Sequence, residues 1–355
     1  MKIQQKIKAF AGLGKFLGYL SLDNKEKVEG FTQNQVNSFN ELIDNSCLHN
    51  GWFIADNVRY ALLSIADSLS EQNINKWIGS YAERIETRKE CKTIGVVMAG
   101  NLPLVGFHDF FCVLMSGNKF LGKLSSQDKQ LLPAVSDVLI EIAPGFKDYI
   151  EFTEERLESF DAVIATGSNN TSRYFEYYFG KYPNIIRKNR NGVGVITGNE
   201  TEDDLKALGK DIFLYFGLGC RSISKLFVPK NYLFDNFFKA IEECKAIIDH
   251  HKYFNNYEYN KAIYLVNSIK HLDNGFLLLK EDKAIASPVS VVYYEYYSDL
   301  FKVNKRLQEE TDAIQCIVSN DSDVKGSTPF GMAQSPQLWD YADGVDTMEF
   351  LLSEV

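Results

Sequence analysis

The chain has 355 residues, enough for two domains or for one large α/β unit with an appended piece. Its 45% hydrophobic and 24% charged residues are ordinary for a soluble globular protein, and a net charge of -9 with a pI near 5.2 argues against a general nucleic-acid binder. No run of about 18 apolar residues occurs, so no membrane-spanning helix is expected and a cytoplasmic location is the simplest expectation.

Residues 1 to about 92 read as mainly helical. Within 1–20, Lys2, Lys6, Lys8 and Lys15 sit among Ile3, Ile7, Phe10, Phe16, Leu17 and Leu20 at roughly helical spacing. The stretch lacks the continuous apolar core and small-residue cleavage site of a secretory signal. It is expected to dock on its own domain or on a partner subunit, with peripheral contact to a membrane surface as the alternative.

From Thr93 the pattern changes. A strand over 94–98 ends in Ala99-Gly100-Asn101, and a helix over 104–115 is stopped by Gly117-Asn118. A second strand (120–124) and helix (129–142) follow, then a third strand (162–166) broken by Gly167-Ser168 before a helix near 171–179. A fourth strand is expected at 192–196. Strands alternating with helices predict a doubly wound parallel sheet, in which ligands bind outside the carboxyl ends of the strands.

Thr201-Glu-Asp-Asp204 then opens a helix whose inner face is Leu205, Leu208, Ile212 and Tyr215, ending at 217–219. That ending delivers Cys220 to a helix-to-strand junction, in the run Gly217-Leu-Gly-Cys220-Arg-Ser222. Glycines there let the backbone turn sharply and approach a substrate, and a thiolate is a strong nucleophile. The tyrosine-rich stretches 253–259 and 293–297 lack basic interleaving and read as strand and surface packing rather than a platform for bases.

Six cysteines are scattered without paired or zinc-type spacing, which fits a reducing compartment. All but Cys220 are expected to be small buried hydrophobes, Cys112 most clearly. Taken singly, the other candidate residues have plain readings. Asn101 before Leu-Pro is a turn residue or cap, Lys123 a surface lysine, and Gly167-Ser168 a strand-to-loop signal. His108-Asp109 is packing or a proton-transfer pair, and His250-His251 is helix surface.

The order of these pieces carries more than any one of them. Val97-Met-Ala-Gly-Asn101-Leu-Pro-Leu-Val-Gly106, Gly117-Asn-Lys-Phe-Leu-Gly-Lys123-Leu-Ser-Ser126, Thr166-Gly-Ser168, Gly217-Leu-Gly-Cys220-Arg-Ser222 and Thr328-Pro-Phe-Gly331 together resemble the aldehyde dehydrogenase superfamily. Within it, the run from Gly100 to Asp109, the Cys220 segment and the short chain are most similar to acyl-CoA reductases of the bioluminescence fatty-acid reductase (LuxC-like) type. The resemblance covers about 90–355.

It implies an α/β aldehyde dehydrogenase-like fold with a Rossmann-type cofactor domain and a smaller α/β catalytic domain. The expected division is a helical region (1–92) packed on the cofactor domain, a cofactor domain (93–215), a catalytic domain carrying Cys220 (216–325) and a carboxyl-terminal segment (326–355). The last returns to the cofactor domain or forms an interface, with 339–352 as candidate interface or clasp. The resemblance also implies that Cys220 attacks an acyl thioester, with Asn101 and the Cys220 N–H donating to the oxyanion. Lys123 would hold the adenosine ribose of NADPH, with Ser125 and Ser126 as nearby donors. Gly167 and Ser168 would sit at the cofactor phosphates and nicotinamide ribose. Its substrate would be a fatty acyl-CoA or acyl-protein thioester. Its partners would be further copies of itself or an acyl-transfer or activating protein.

Two departures sharpen this. The family's water-activating glutamate falls in Ile186-Arg-Lys-Asn-Arg-Asn-Gly192, which has no carboxylate, so an acyl-enzyme would survive to be reduced. The family's ribose-binding glutamate falls at Ala284. Alternatives are an acyl-phosphate reductase, which would need basic residues such as Arg190 and Arg221 beside Cys220, and a non-catalytic acyl-binding subunit.

Overall fold

The computed structural model describes residues 1–22, 30–88 and 90–355, and among them no helix is long and apolar enough to cross a membrane. The chain forms two compact units, Met1–Lys188 with Pro336–Val355, and Asn189–Ser335.

The first unit is built on five strands: β1 (Thr93–Val97), β2 (Lys119–Lys123), β3 (Ile150–Thr153), β4 (Ala162–Thr166) and β5 (Asn184–Arg187). All pair in parallel in the order β3-β2-β1-β4-β5. The order reverses between β1 and β4, and that switch point opens a crevice at the carboxyl ends of the two strands. The short edge strands β3 and β5 are absent from the sequence reading because four residues with polar members, Ile150-Glu-Phe-Thr153 and Asn184-Ile-Ile-Arg187, give no apolar run.

Helix Ile3–Ser21 lies in the core of this unit, with Ile7, Phe10, Leu13, Phe16, Leu17 and Leu20 all fully buried and the helix packed along Ala55–Ser68. Fully burying each such side chain contributes about 1.5–3 kcal/mol. Its apolar face is therefore occupied, as docking on its own domain requires. Lys6, on the same helix, is also buried and donates to the carbonyls of Leu114 (2.8 Å) and Met115 (3.2 Å) in the last turn of helix Phe107–Ser116. Phe10 meets the ring of Phe111 edge-on at 4.7 Å.

The segment 339–352 is a clasp inside this unit. Trp77 Nε1 donates to the Tyr341 hydroxyl at 2.7 Å, Tyr81 donates to Asp346 at 2.6 Å, and helix Thr347–Ser353 packs on Phe107–Ser116. Beneath it, Arg187 Nη1 and Nη2 donate to both oxygens of Asp109 at 2.5 and 2.8 Å, and Nη2 also reaches Thr347 Oγ1 at 3.2 Å. All three residues are buried.

The second unit holds a seven-stranded sheet: β6 (Asn191–Val195), β7 (Ile223–Pro229), β8 (Leu272–Asp273), β9 (Leu278–Glu281), β10 (Val291–Tyr297), β11 (Ile314–Val318) and β12 (Ser327–Thr328). The order is β12-β11-β6-β7-β10-β9-β8, parallel except for β8 against β9. The strand expected as the fourth of the first sheet is β6, paired instead with β7 and β11. The change of unit therefore falls at 188/189 and 335/336, not at 215/216 and 325/326. Helix Glu202–Phe213 comes with β6 and starts after Thr201 as the sequence implied, with Thr201 and Asp204 forming a capping box.

Candidate active site

In the first unit, five of the expected site residues share one edge of the sheet. Asn101 follows β1, Lys123 and Ser125 close β2, and Gly167 and Ser168 follow β4. Because β1 lies between β2 and β4, its loop starts about 4.8 Å from each of the other two at the strand ends.

The loop bearing Asn101 is held from several sides. Asn50 Nδ2 donates to the Gly100 carbonyl at 3.2 Å, and Met98 N–H donates to Lys123 O at 3.3 Å. A Cβ at Gly100 would meet Ser125 Oγ at 2.4 Å, so only glycine lets the β1 and β2 loops close on each other. Leu104 is left-handed (φ 59°), and its N–H donates to Asp128 Oδ2 at 3.3 Å while Asp128 Oδ1 accepts from Leu131 N–H at 3.3 Å. The helix accordingly starts at Phe107 rather than at 104. Burial pushes the Asp128 carboxyl up, and its backbone bonds oppose that. Sequence reading missed Asn50 and Asp128, whose partners Gly100 and Leu104 lie 50 and 24 residues away.

Lys123 Nζ donates to the Glu154 carbonyl at 2.9 Å, which uses one of its three protons. Ser168 is the N-cap of helix Asn169–Phe179, its hydroxyl accepting from Thr171 N–H at 3.2 Å, and that helix has no acidic residue in its first turn. Asn101 and Ser168 are exposed. His108 packs, with Nε2 3.0 Å from Leu338 O and its ring edge-on to Tyr341.

Cys220 belongs to the second unit, where it is exposed. Helix Glu202–Phe213 stops short of the expected 217–219, and Tyr215, Phe216 and Gly217 are all left-handed (φ 55°, 59° and 74°). For the two non-glycine residues this costs about 1–2 kcal/mol each. Burial of both rings offsets it, with the Phe216 ring tilted against His250 at a centroid distance of 4.2 Å. His250 is thus a wall of this turn as well as the N-cap of helix His251–Val266.

Past the turn, Ser222 N–H donates to Gly219 O (3.0 Å) and Gly219 N–H to Ser222 Oγ (3.1 Å), closing a tight loop around Cys220. Gln334 Nε2 donates to the same hydroxyl at 3.1 Å. Just upstream, buried Asp211 accepts from the N–H groups of Gly331 (2.6 Å) and Ala333 (3.0 Å), fixing the segment after Thr328-Pro-Phe-Gly331. Burial pushes its carboxyl up to about 6, against the pull of those two bonds. Neither Asp211 nor Gln334 stood out in the sequence, since their partners are more than a hundred residues away.

Beside the loop, Gly192 of β6 leaves room that a side chain would close: a Cβ there would lie 2.6 Å from Arg221 O and 2.9 Å from Ser222 O. Arg190 Nη1 donates to Thr311 O at 2.9 Å. Ala284 is exposed, its N–H donating to Asp282 Oδ1 at 3.0 Å. The cysteines depart from expectation: only Cys112 is fully buried, Cys244 and Cys316 are half-buried, and Cys47 and Cys91 are exposed on polar or irregular segments.

No protein-family model and no curated protein matches the chain. Solved structures do. Aldehyde dehydrogenase 21 from Physcomitrella patens, in complex with succinate, is 13% identical over 99% of this chain and 87% of its own, with a TM-score of 0.64. An aldehyde dehydrogenase described as putative from Burkholderia cenocepacia is 12% identical over 91% and 80%, with a TM-score of 0.60. An indole-3-acetaldehyde dehydrogenase complexed with NAD+ is 12% identical over 90% and 73%, with a TM-score of 0.57. The fold is aldehyde dehydrogenase-like.

Proposed function

We propose that the chain is a nicotinamide-dependent oxidoreductase that reduces an acyl thioester, fatty acyl-CoA or acyl-protein, to the aldehyde, using NADPH and a covalent acyl-Cys220. The observation that carries this reading is the exposed Cys220 on a tightly bonded loop after a left-handed turn. The aldehyde dehydrogenase-like fold and the absence of a carboxylate in 186–192 support it.

The residues at the switch point fit a nicotinamide dinucleotide. Lys123 has protons to spare, Ser125 and Ser168 carry hydroxyls, and the amino end of helix Asn169–Phe179 favours phosphate. Lys123 would take the adenosine ribose or its 2′-phosphate, and Gly167-Ser168 the pyrophosphate side. A bound reduced nicotinamide supplies the hydride.

The chain's own work is then to hold and protect the acyl group. Cys220 attacks the thioester carbonyl, the carbonyl electrons move onto oxygen, and the backbone N–H of Cys220 stabilises that charge; the family resemblance implies Asn101 as a second donor. Collapse expels the coenzyme A thiolate and leaves a thioester on Cys220. With no carboxylate in 186–192 to activate water, hydrolysis is slow and the acyl group waits for reduction. Self-association or an acyl-delivering partner completes this reading.

The test is acylation with radiolabelled acyl-CoA. Wild type should retain a hydroxylamine-labile label and Cys220→Ala none; a label that persists in the variant overturns the assignment. Asn101→Ala should slow acylation by about 10²-fold. NADPH consumption with aldehyde formed separates an enzyme from a binding subunit.

A further inference from the structure

Cys316, in β11, is separated from the Cys220 loop by β6, yet its thiol reaches that loop. Cys316 pairs with Gly192 across the β11–β6 register, and the Gly192 N–H donates to Ser222 O at 3.1 Å. Because Gly192 has no Cβ, the Arg221 carbonyl packs directly against it, and the Cys316 thiol donates to that oxygen at 3.5 Å. That carbonyl belongs to the residue bonded to Cys220. A half-buried thiol thus touches the residue that follows an exposed cysteine, close enough for the two sulfurs to interact electrostatically, inside one compact unit.

We infer that Cys316 is a resolving thiol for Cys220, forming a reversible disulfide with it when a hydroperoxide oxidises the nucleophile. The chemistry balances in two steps. The Cys220 thiolate attacks a peroxide oxygen, the O–O bond breaks, and Cys220 sulfenic acid forms with release of hydroxide or, for an organic peroxide, alkoxide. The Cys316 sulfur then attacks the Cys220 sulfur, the S–O bond breaks, and the departing hydroxide leaves as water with the Cys316 proton. Two thiols lose two electrons and the peroxide gains them.

The two environments divide the labour. Burial pushes the Cys316 thiol up to about 12, with Cys220 and Asp211 adding to that and Arg221 opposing it. Cys316 is therefore inert toward peroxide from solution and reacts only with a sulfur already placed beside it, where proximity replaces intrinsic reactivity. An enzyme that depends on one exposed thiol would gain protection from overoxidation to the sulfinic acid. The inference rests on the proposed function only in taking Cys220 as the reactive thiol.

The experiment is titration of the full chain with hydrogen peroxide, alkylation of remaining thiols, and peptide mapping without reductant. Wild type should give a linked peptide pair containing Cys220 and Cys316, and dithiothreitol should restore both thiols. Cys316→Ser keeps a donor for Arg221 O, and Cys316→Val keeps apolar volume. In whichever variant folds, the pair should vanish and Cys220 should accumulate as sulfinic acid that dithiothreitol does not reverse. Irreversible oxidation of Cys220 in wild type at the rate of the variants, or linkage of Cys220 to another cysteine, overturns the inference. Acyl labelling of the same preparation separates the two readings: label without a disulfide sinks only this inference, and a disulfide without label sinks only the proposed function.

Discussion

The ion pair between Asp109 and Arg187 offers the sharpest energetic test. Both side chains are almost entirely shielded from water, 5% and 7% exposed, and they meet through two hydrogen bonds. The pair ties helix Phe107–Ser116 to strand β5, with Thr347 of the carboxyl-terminal clasp joining through Arg187. Removing one partner leaves a buried, uncompensated charge, which costs about 3–5 kcal/mol, whereas replacing both with apolar side chains removes the charge as well. Arg187→Met and Asp109→Asn should each destabilise the first unit by about 3–5 kcal/mol, and Asp109→Leu with Arg187→Met by clearly less than the sum. At about 2–4 °C per kcal/mol, the single variants should melt roughly 6–20 °C lower. The assay is urea and thermal unfolding followed by tryptophan fluorescence, because Trp52, Trp77 and Trp339 all lie in the first unit and report on it alone. Single variants costing under about 1 kcal/mol, or a strictly additive double variant, would refute the reasoning. In the folded state at low temperature, Asp109→Asn should still acylate Cys220, since the carboxylate is engaged with arginine.

Two further expectations come from the same kind of argument. Gly192→Ala should force the Arg221 and Ser222 carbonyls away from β6, destabilising the second unit by about 1–3 kcal/mol and slowing Cys220 acylation at unchanged thiol count; wild-type kinetics would show that the Cys220 loop tolerates the shift. Burial lowers the Lys6 ammonium to about 8, below its unfolded value, so between pH 8 and about 10.4 the unfolded chain holds more protons than the folded one. Stability of the first unit should therefore rise with pH across that window, a burial penalty being present below it and relieved above it, and Lys6→Met should flatten the rise. An equal slope in the variant would assign it to other groups.

Much of the first sheet was legible because each strand announces its own end. Gly100-Asn101 closes β1, left-handed Gly117 closes the following helix, and Gly167-Ser168 closes β4. The Thr201 and Asp204 capping box fixed a helix start for the same local reason. Illegible were features whose partners are distant in sequence. Nothing near Arg187 announces Asp109, 78 positions away, nothing near Cys220 announces Gln334 as a holder of its loop, and nothing near Asp211 announces Gly331 and Ala333. Membership of β6 in the second sheet depends on strand pairing, which an isolated glycine-rich run cannot express. Cysteines were misjudged because Cys47 and Cys91 are exposed, and type alone does not fix burial.

The chain leaves the first unit at Lys188 and re-enters it at Pro336. During synthesis, Asn189–Ser335 has emerged from the ribosome and has all its strands in hand before the first unit receives its last helix. Until then, the face of Phe107–Ser116 that Thr347–Ser353 will cover, and the site that Thr347 offers Arg187, stand incomplete. The unit that carries Cys220 is complete in sequence by then, while the unit with the five-stranded parallel sheet waits on residues 336–355.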